Sequence, residues 1–254
     1  MIKISAVSYL NTKPFLYGLE NTDICKKISI SQDSPALCAE KLMSNSVDIG
    51  LIPVAIIPQL KNPQIVVPYC IGADGKVTTV CLFSEVPMEE ISTIYLDYQS
   101  LTSVELVKIL CKEYWEKEVM FEKAFPGYEN EIKGTTAGLI IGDRAIHLFS
   151  SYTYIYDLAE AWKRMTGLPF VFAAWVSCKQ IDEKFLAEFK KSLQFGLDNR
   201  DKLIAKYEYL DNLKFSVENY LFHNIQYLLT EDKQEALELF LKKLQPEKSV
   251  VYCF

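Results

Sequence analysis

Short β-branched runs alternate along this chain with segments of helical period, and that alternation narrows the possible folds more than any other feature. The runs "IKISAVS" (2–8), "VDIGLIPV" (47–54), "QIVVPYCIG" (64–72), "VTTVCLF" (77–83), "TIYLD" (93–97), "AGLIIG" (137–142) and "PFVFAAWV" (169–176) read as largely buried strands. Helical segments between them predict an α/β fold. Ser34 before Pro35 opens "SPALCAEKLMSN", Thr102 with Glu105 makes a capping-box pattern, and Ser216 opens "SVENYLFHNIQYLL". From about Asp182 onward the period is almost wholly helical.

Two places suggest two lobes. The pattern restarts at the acidic, proline-containing "EVPMEEISTIYLD" and turns helical after "FVFAAWVSC". The expected division is residues 1–84 with 178–254 as one lobe and 85–177 as the other, with a cleft between them. The length of 254 residues and the 50% hydrophobic content supply enough chain for both cores.

Charge and cysteine usage exclude several classes of partner. A net charge of −6 without any long Lys/Arg run argues against a nucleic-acid or anionic-membrane surface. The seven cysteines are scattered and never spaced Cys-x-x-Cys, so neither a disulfide framework nor a thiolate zinc site is expected. The opening "MIKISAVSYLNTKPF" has neither the apolar core nor the cleavage site of a secretory leader, and no run approaches the ~20 apolar residues of a membrane span. These features predict a soluble cytoplasmic protein, and none of them fixes its oligomeric state.

Ligands of open α/β sheets sit beyond the carboxyl ends of strands. Four polar corners lie there: "SYLNT" (8–12), "LIPVA" (51–55), "DYQSLTS" (97–103) and "IGDRAIH" (141–147). Ser100, Thr102 and Ser103 stand at a helix start, where hydroxyls, free N–H groups and the helix dipole favour an anion. Ser8, Asn11 and Thr12 can do the same. Two such corners on facing lobes suit a small dicarboxylate. Each also has a plainer reading, since Ser and Thr before helices mostly cap them, and Asn11 and Asp143 fit the same role.

His147 and His223 fit no metal spacing, and phosphate-loop, Gly-x-Ser-x-Gly and His-Glu-x-x-His motifs are absent from the sequence. No metal or cofactor is expected.

The motifs "VSYLNTKPFLYGLE", "DIGLIPVA", "LDYQSLTSVELVKIL", "LIIGDRAI" and "YDLAEAWKRMTGLPFVFAAWV", in this order, resemble the chorismate dehydratase family of the futalosine route to menaquinone. The resemblance spans roughly residues 4–178. It implies a fold like the type II periplasmic solute-binding proteins, with chorismate as substrate losing water to give 3-(1-carboxyvinyloxy)benzoate.

Loss of the ring hydroxyl and the neighbouring hydrogen makes the ring aromatic, so orientation and polar support matter more than a strong base. On this reading Asn11 is the catalytic residue and the substrate's enolpyruvyl carboxylate takes the proton. Ser8, Tyr9, Thr12, Ser100, Thr102, Ser103, Asp143 and Arg144 form the substrate site.

In many relatives the third corner reads Ser-Arg-Thr-Ser, whereas Leu101 stands here, and Arg144 is the expected substitute cation. A non-catalytic solute-binding protein for a small aromatic or dicarboxylic acid is the rival reading. The sister enzyme that forms dihydroxynaphthoate is disfavoured, because its first corner carries a Ser-Pro-Cys-Pro-Asn-Asp type sequence that "SYLNT" does not match.

Overall fold

In the computed structural model, which describes residues 1–211, 214–245 and 250–254, the alternation resolves into two sheets. The chain lays down β1 (Ile2–Val7), β2 (Ile28–Asp33), β3 (Ile49–Pro53) and β4 (Gln64–Ala73) in the first sheet. It crosses to build β5 (Val80–Ser84), β6 (Thr93–Leu96), β7 (Met120–Lys123), β8 (Thr136–Ile141) and β9 (Tyr154–Asp157) in the second. It then returns with β10 (Phe170–Ser177), β11 (Gln226–Leu228) and β12 (Val251–Tyr252).

The strand orders are β11-β4-β10-β3-β1-β2, with β12 also on β4, and β7-β6-β8-β5-β9. Helices α1 (Lys13–Glu20), α2 (Pro35–Met43), α3 (Thr102–Glu113), α4 (Asp143–Ile146), α5 (Leu158–Thr166), α6 (Glu183–Asp198), α7 (Asp201–Tyr207), the single turn α8 (Val217–Asn219) and α9 (Glu231–Leu244) connect the strands. Among the described residues no helix is long and apolar enough to cross a membrane.

The sheets divide the chain earlier than the pattern restart at residue 85 predicts. Strand β5 pairs antiparallel with β8 and β9, so Val80–Ser84 belongs to the second sheet, whereas β10 pairs with β3 and β4 of the first. The crossings therefore fall at 74–79 and 158–169. The acidic turn at the expected boundary lies inside the second lobe, because an exposed polar turn marks any surface connection, including one within a lobe.

"SVENYLFHNIQYLL" is not one helix. After α8 the backbone widens into a π turn over Tyr220–Asn224, where the Ile225 N–H bonds the Tyr220 carbonyl at 3.0 Å, and then extends into β11. The β11 N–H and C=O groups pair with the edge of β4, an outlet that helical periodicity does not reveal.

Helix α1, which carries the "SYLNT" corner at its start, is seated by an unusually close approach. A Cβ on Gly196 of α6 would stand 1.9 Å from the Pro14 carbonyl, and one on Gly18 would stand 1.9 Å from the Ser192 carbonyl. Only glycine permits backbone contact of that kind. Gly196→Ala is expected to push the helices apart and destabilise the fold by about 1–3 kcal/mol, the usual cost of overpacking. Chemical denaturation of the variant checks this.

Candidate active site

Strands β1, β3, β6 and β8 end, and β5 and β10 begin, around one interlobe cavity of about 520 Å³ including its mouth. Its walls are mostly apolar, with Val7, Pro53, Ile71, Val77, Ile141 and Phe172 among them. Tyr9, Asn11, Thr12, Thr79, Ser100, Thr102 and Ser103 supply the polar lining. Among the described residues no Asp, Glu, His, Lys or Arg lines it.

The "SYLNT" corner forms a short 3-10 turn over Leu10–Thr12 before α1, and no side chain there caps a helix. Asn11 is therefore not a cap. Its Oδ1 accepts the Thr12 hydroxyl at 3.1 Å, and Thr12 itself is fully buried. Ser8 is absent from the cavity lining, and its N–H is spent on the Asp33 carbonyl at 3.0 Å.

Asp33 lies beneath this corner. It accepts the Ser5 hydroxyl at 2.7 Å, the Ser31 hydroxyl at 2.6 Å and the Lys41 ammonium at 2.7 Å. Against the cost of its burial, those donors hold its carboxyl below the usual value.

At the "SLTS" corner the capping-box expectation is replaced by a different arrangement. Helix α3 starts at Thr102, and it is the Ser100 hydroxyl that accepts a first-turn N–H, from Ser103 at 3.1 Å. Glu105 pairs with Lys108 at 2.8 Å instead of reaching back. The Thr102 hydroxyl, 3% exposed, donates to the Phe172 carbonyl at 3.0 Å and accepts the Ala55 N–H at 3.2 Å, binding α3 to the first lobe. Its hydrogen-bonding capacity goes to the scaffold. The Ser103 hydroxyl borders the cavity without a hydrogen-bond partner among the described residues.

The fourth corner is structural. The Asp143 carboxylate, rather than capping α4, accepts the Leu10 N–H from the other lobe at 3.0 and 3.2 Å. Burial raises its carboxyl pKa, and the Leu10 N–H and nearby Lys13 act in the opposite direction. Arg144 is not available to a ligand in this arrangement. It pairs with Asp97 and, at 2.8 Å, with Glu129, lies over the Tyr98 ring, and does not line the cavity.

Tyr9 closes this side of the cavity. Its hydroxyl donates to Gln99 at 2.6 Å, and its ring lies where a Cβ on Gly142 (φ +66°) would be, 2.7 Å away. Leu101 lines a separate surface groove with Ile56, Pro58 and Leu244, so a side chain at that position points away from the cavity.

Two features of the site escape a reading of the corners alone. Thr79 comes from the first crossing, and Tyr220 lies behind it, fully buried, with its hydroxyl 2.6 Å from the Thr79 hydroxyl. The only sequence signal for Tyr220 is chemical: a buried tyrosine among Leu and Phe must find a partner for its O–H.

Residues 2–246 match the family described as menaquinone biosynthesis. The chain belongs to that family. A chorismate dehydratase from Thermus thermophilus is 25% identical over 237 residues, covering 83% of this chain and 84% of that protein. Among solved structures, a protein from Archaeoglobus fulgidus aligns with a TM-score of 0.72 at 13% identity, over 96% of this chain and 97% of that one. A Candida albicans protein described as having the generic periplasmic binding protein fold aligns with a TM-score of 0.61 at 10% identity, over 98% of this chain and 92% of that one. This menaquinone-biosynthesis chain thus has a periplasmic-binding-protein-like fold.

The Asp143 contact predicts a stability signature. Asp143→Ala removes the acceptor and strands the Leu10 N–H, at a cost of about 1–3 kcal/mol. Asp143→Asn retains an acceptor oxygen. A carboxyl whose folded pKa is raised favours the fold in its protonated form, so the wild type loses that contribution as pH rises from below its unfolded value, near 4, through the raised folded value. The amide of the Asp143→Asn variant does not titrate. Melting curves from pH 3 to 8 are expected to show Asp143→Asn gaining on the wild type as pH increases.

Proposed function

We propose that the protein is a chorismate dehydratase, a hydro-lyase that eliminates water from chorismate to give 3-(1-carboxyvinyloxy)benzoate. The observation that carries this reading is the composition of the cavity: apolar walls for a ring, two clusters of neutral donors from opposite lobes, and no carboxylate, imidazole or amine among the described lining residues. An elimination that ends in an aromatic ring can run with such a lining. The family membership and the Thermus thermophilus relative point to the same chemistry. Residence in the cytoplasm belongs to the proposal too, and seven cysteines held as free thiols support it.

The steps follow from charge and reach. The C–H bond on the ether-bearing ring carbon breaks, its electrons form the new ring double bond, and the neighbouring C–O bond breaks as the hydroxyl takes the proton just removed from the ring and leaves as water. With no side-chain base among the described lining residues, the substrate's own enolpyruvyl carboxylate takes the ring proton. Asn11 holds the leaving hydroxyl or that carboxylate through its amide N–H, since Thr12 occupies its oxygen. Ser100 and Ser103, with the N–H groups at the start of α3, hold a carboxylate. Tyr9 and Thr12 shape the wall, and Asp143 and Arg144 act through the scaffold.

Turnover is followed by loss of the chorismate diene absorbance, with mass analysis of the product. Asn11→Asp replaces the amide donor with a charged acceptor, so a loss of roughly 10²-fold or more is expected at near-normal melting temperature. Unchanged activity in that variant would remove Asn11 from the chemistry. Binding of chorismate without any turnover by the wild type would favour the solute-binding reading. Because hydroxyls and an amide line the cavity where metal ligands would be carboxylates, imidazoles or thiolates, exhaustive chelation is expected to leave turnover intact.

A further inference from the structure

We infer that Asp157 is a positioning residue: its carboxylate holds Thr78 in a left-handed backbone conformation and so fixes the cavity wall that the first crossing supplies. This inference rests on the dehydratase reading for its kinetic part only.

No residue of "YDLAEAWKR" (156–164) lines the cavity, yet its aspartate joins the two segments that connect the lobes. Asp157 ends β9 and caps α5, which begins the second crossing. Its two oxygens have separate tasks. Oδ1 accepts the Ala159 and Glu160 N–H groups at 3.0 and 3.1 Å and so caps the helix, whereas Oδ2 accepts the Thr78 N–H of the first crossing at 2.7 Å. Lys163 of α5 adds a second tie, pairing at 2.7 Å with Asp74, where the first crossing begins. Burial raises the Asp157 carboxyl to about 6, against the pull of its N–H donors, so at neutral pH it is ionised and both oxygens accept.

Thr78 needs such an anchor. Its φ is +71°, and of the four non-glycine residues with positive φ among those described it alone is β-branched, a side-chain type for which that region is a genuine outlier. Conformations of this kind persist only where the surroundings over-determine them. Here Asp157 holds the Thr78 N–H, and the Thr78 carbonyl accepts the Cys81 thiol at 3.1 Å. On either side, the Lys76 carbonyl accepts the Asn224 side-chain amide at 3.1 Å, and the Thr79 carbonyl accepts the Gly142 N–H at 2.8 Å. Val77 and Thr79 of this stretch line the cavity, as does Val80, the first residue of β5. Reversal of φ at Thr78 would swing Val77 and Thr79 relative to each other, so the wall keeps its shape only while Thr78 keeps its conformation.

Asp157→Asn keeps an oxygen for the helix cap and puts an NH₂ donor where the Thr78 N–H needs an acceptor. For the full chain we expect kcat/KM for chorismate to fall roughly 10²-fold, the scale of a small misplacement of groups around the substrate. Thr78→Gly in the same chain should recover roughly tenfold or more, because glycine adopts positive φ without strain and no longer needs the anchor. A residue that only caps α5 would not be rescued from the other crossing. Unchanged kcat/KM in Asp157→Asn, or a loss that Thr78→Gly does not recover, overturns the inference. If Asp157→Asn is too unstable to assay, the double variant decides: a melting temperature above that of Asp157→Asn supports the inference, and an equal or lower one overturns it.

A second readout is independent of turnover. In NMR spectra of the ligand-free protein, the Thr78 backbone amide should exchange with water roughly tenfold faster or more in Asp157→Asn, and the methyl signals of Val77 and Thr79 should shift. The Ala159 and Glu160 amides, still capped, should remain as protected as in the wild type. A Thr78 amide with wild-type protection, or Val77 and Thr79 methyls that do not move, overturns the inference whatever the kinetics show. If the wild type fails to turn over chorismate, the dehydratase reading falls and these signals alone decide the role of Asp157.

Discussion

Beside the cavity the two lobes are joined by a half-buried contact, the Asp143 carboxylate of the second accepting the Leu10 N–H of the first, with the Tyr9–Gln99 and Thr102–Ala55 bonds on either side. Leu10 begins the turn that carries Asn11 and Thr12, and Asp143 follows Gly142, on which the Tyr9 ring rests. Burial of that carboxylate without a full countercharge is costly, and the one Leu10 N–H, shared between its two oxygens at 3.0 and 3.2 Å, offsets part of the cost. Across the same cleft the Thr102 hydroxyl of α3 bonds Ala55 and Phe172 of the first lobe, and the cavity lies between these contacts. The corners expected to bind substrate thus split into two kinds. Asp143 and Arg144 belong to the scaffold; Asn11, Ser100, Thr102 and Ser103 line the cavity, with the Thr102 hydroxyl engaged by Ala55 and Phe172.

The electrostatics of that container are unusual for a proposed dianion site. Nearby cations are already engaged, Arg144 by Asp97 and Glu129 and Lys41 by Asp33. What remains is a set of oriented neutral dipoles: hydroxyls, an amide, and the start of a twelve-residue helix. Preorganised dipoles in a dry cavity stabilise charge without having to reorganise when charge moves, and that property suits a reaction in which a proton passes from ring carbon to carboxylate and a hydroxyl leaves. A fixed ammonium at the same place would hold the carboxylate more tightly and make it a weaker base.

Much of this is legible in the sequence, because the strand runs are strongly β-branched and the corners have fixed chemistry. The runs at 2–8, 47–54, 64–72 and 137–142 all contain strands, and Ser34 caps α2 as its position before Pro35 suggests. Strands β2, β7 and β9 give no comparable signal because their residues are partly polar and exposed, and edge or short strands need no apolar run. The lobe boundary is masked for a related reason: the true crossing, 74–79, is short, and the conspicuous acidic turn is only a surface loop. Partner choice is harder still to read. Nothing in "SLTS" reveals that Ser100 rather than Thr102 caps the helix, and nothing in "GDRAI" reveals that Asp97 has already claimed Arg144. Tyr220 is hidden in the same way: its partner Thr79 lies 141 residues away, and helical periodicity conceals a π turn.

The central claim, that a dicarboxylate is held between α3 and the "SYLNT" corner by neutral donors, is tested most directly by a crystal structure with 3-(1-carboxyvinyloxy)benzoate bound. The account predicts the ring between the apolar walls, one carboxylate on Ser100, Ser103 and the first N–H groups of α3, and the other group within hydrogen-bond distance of Asn11 Nδ2. A ligand whose carboxylates instead displace Asp97 or Glu129 from Arg144, or that binds outside the cavity, would contradict it.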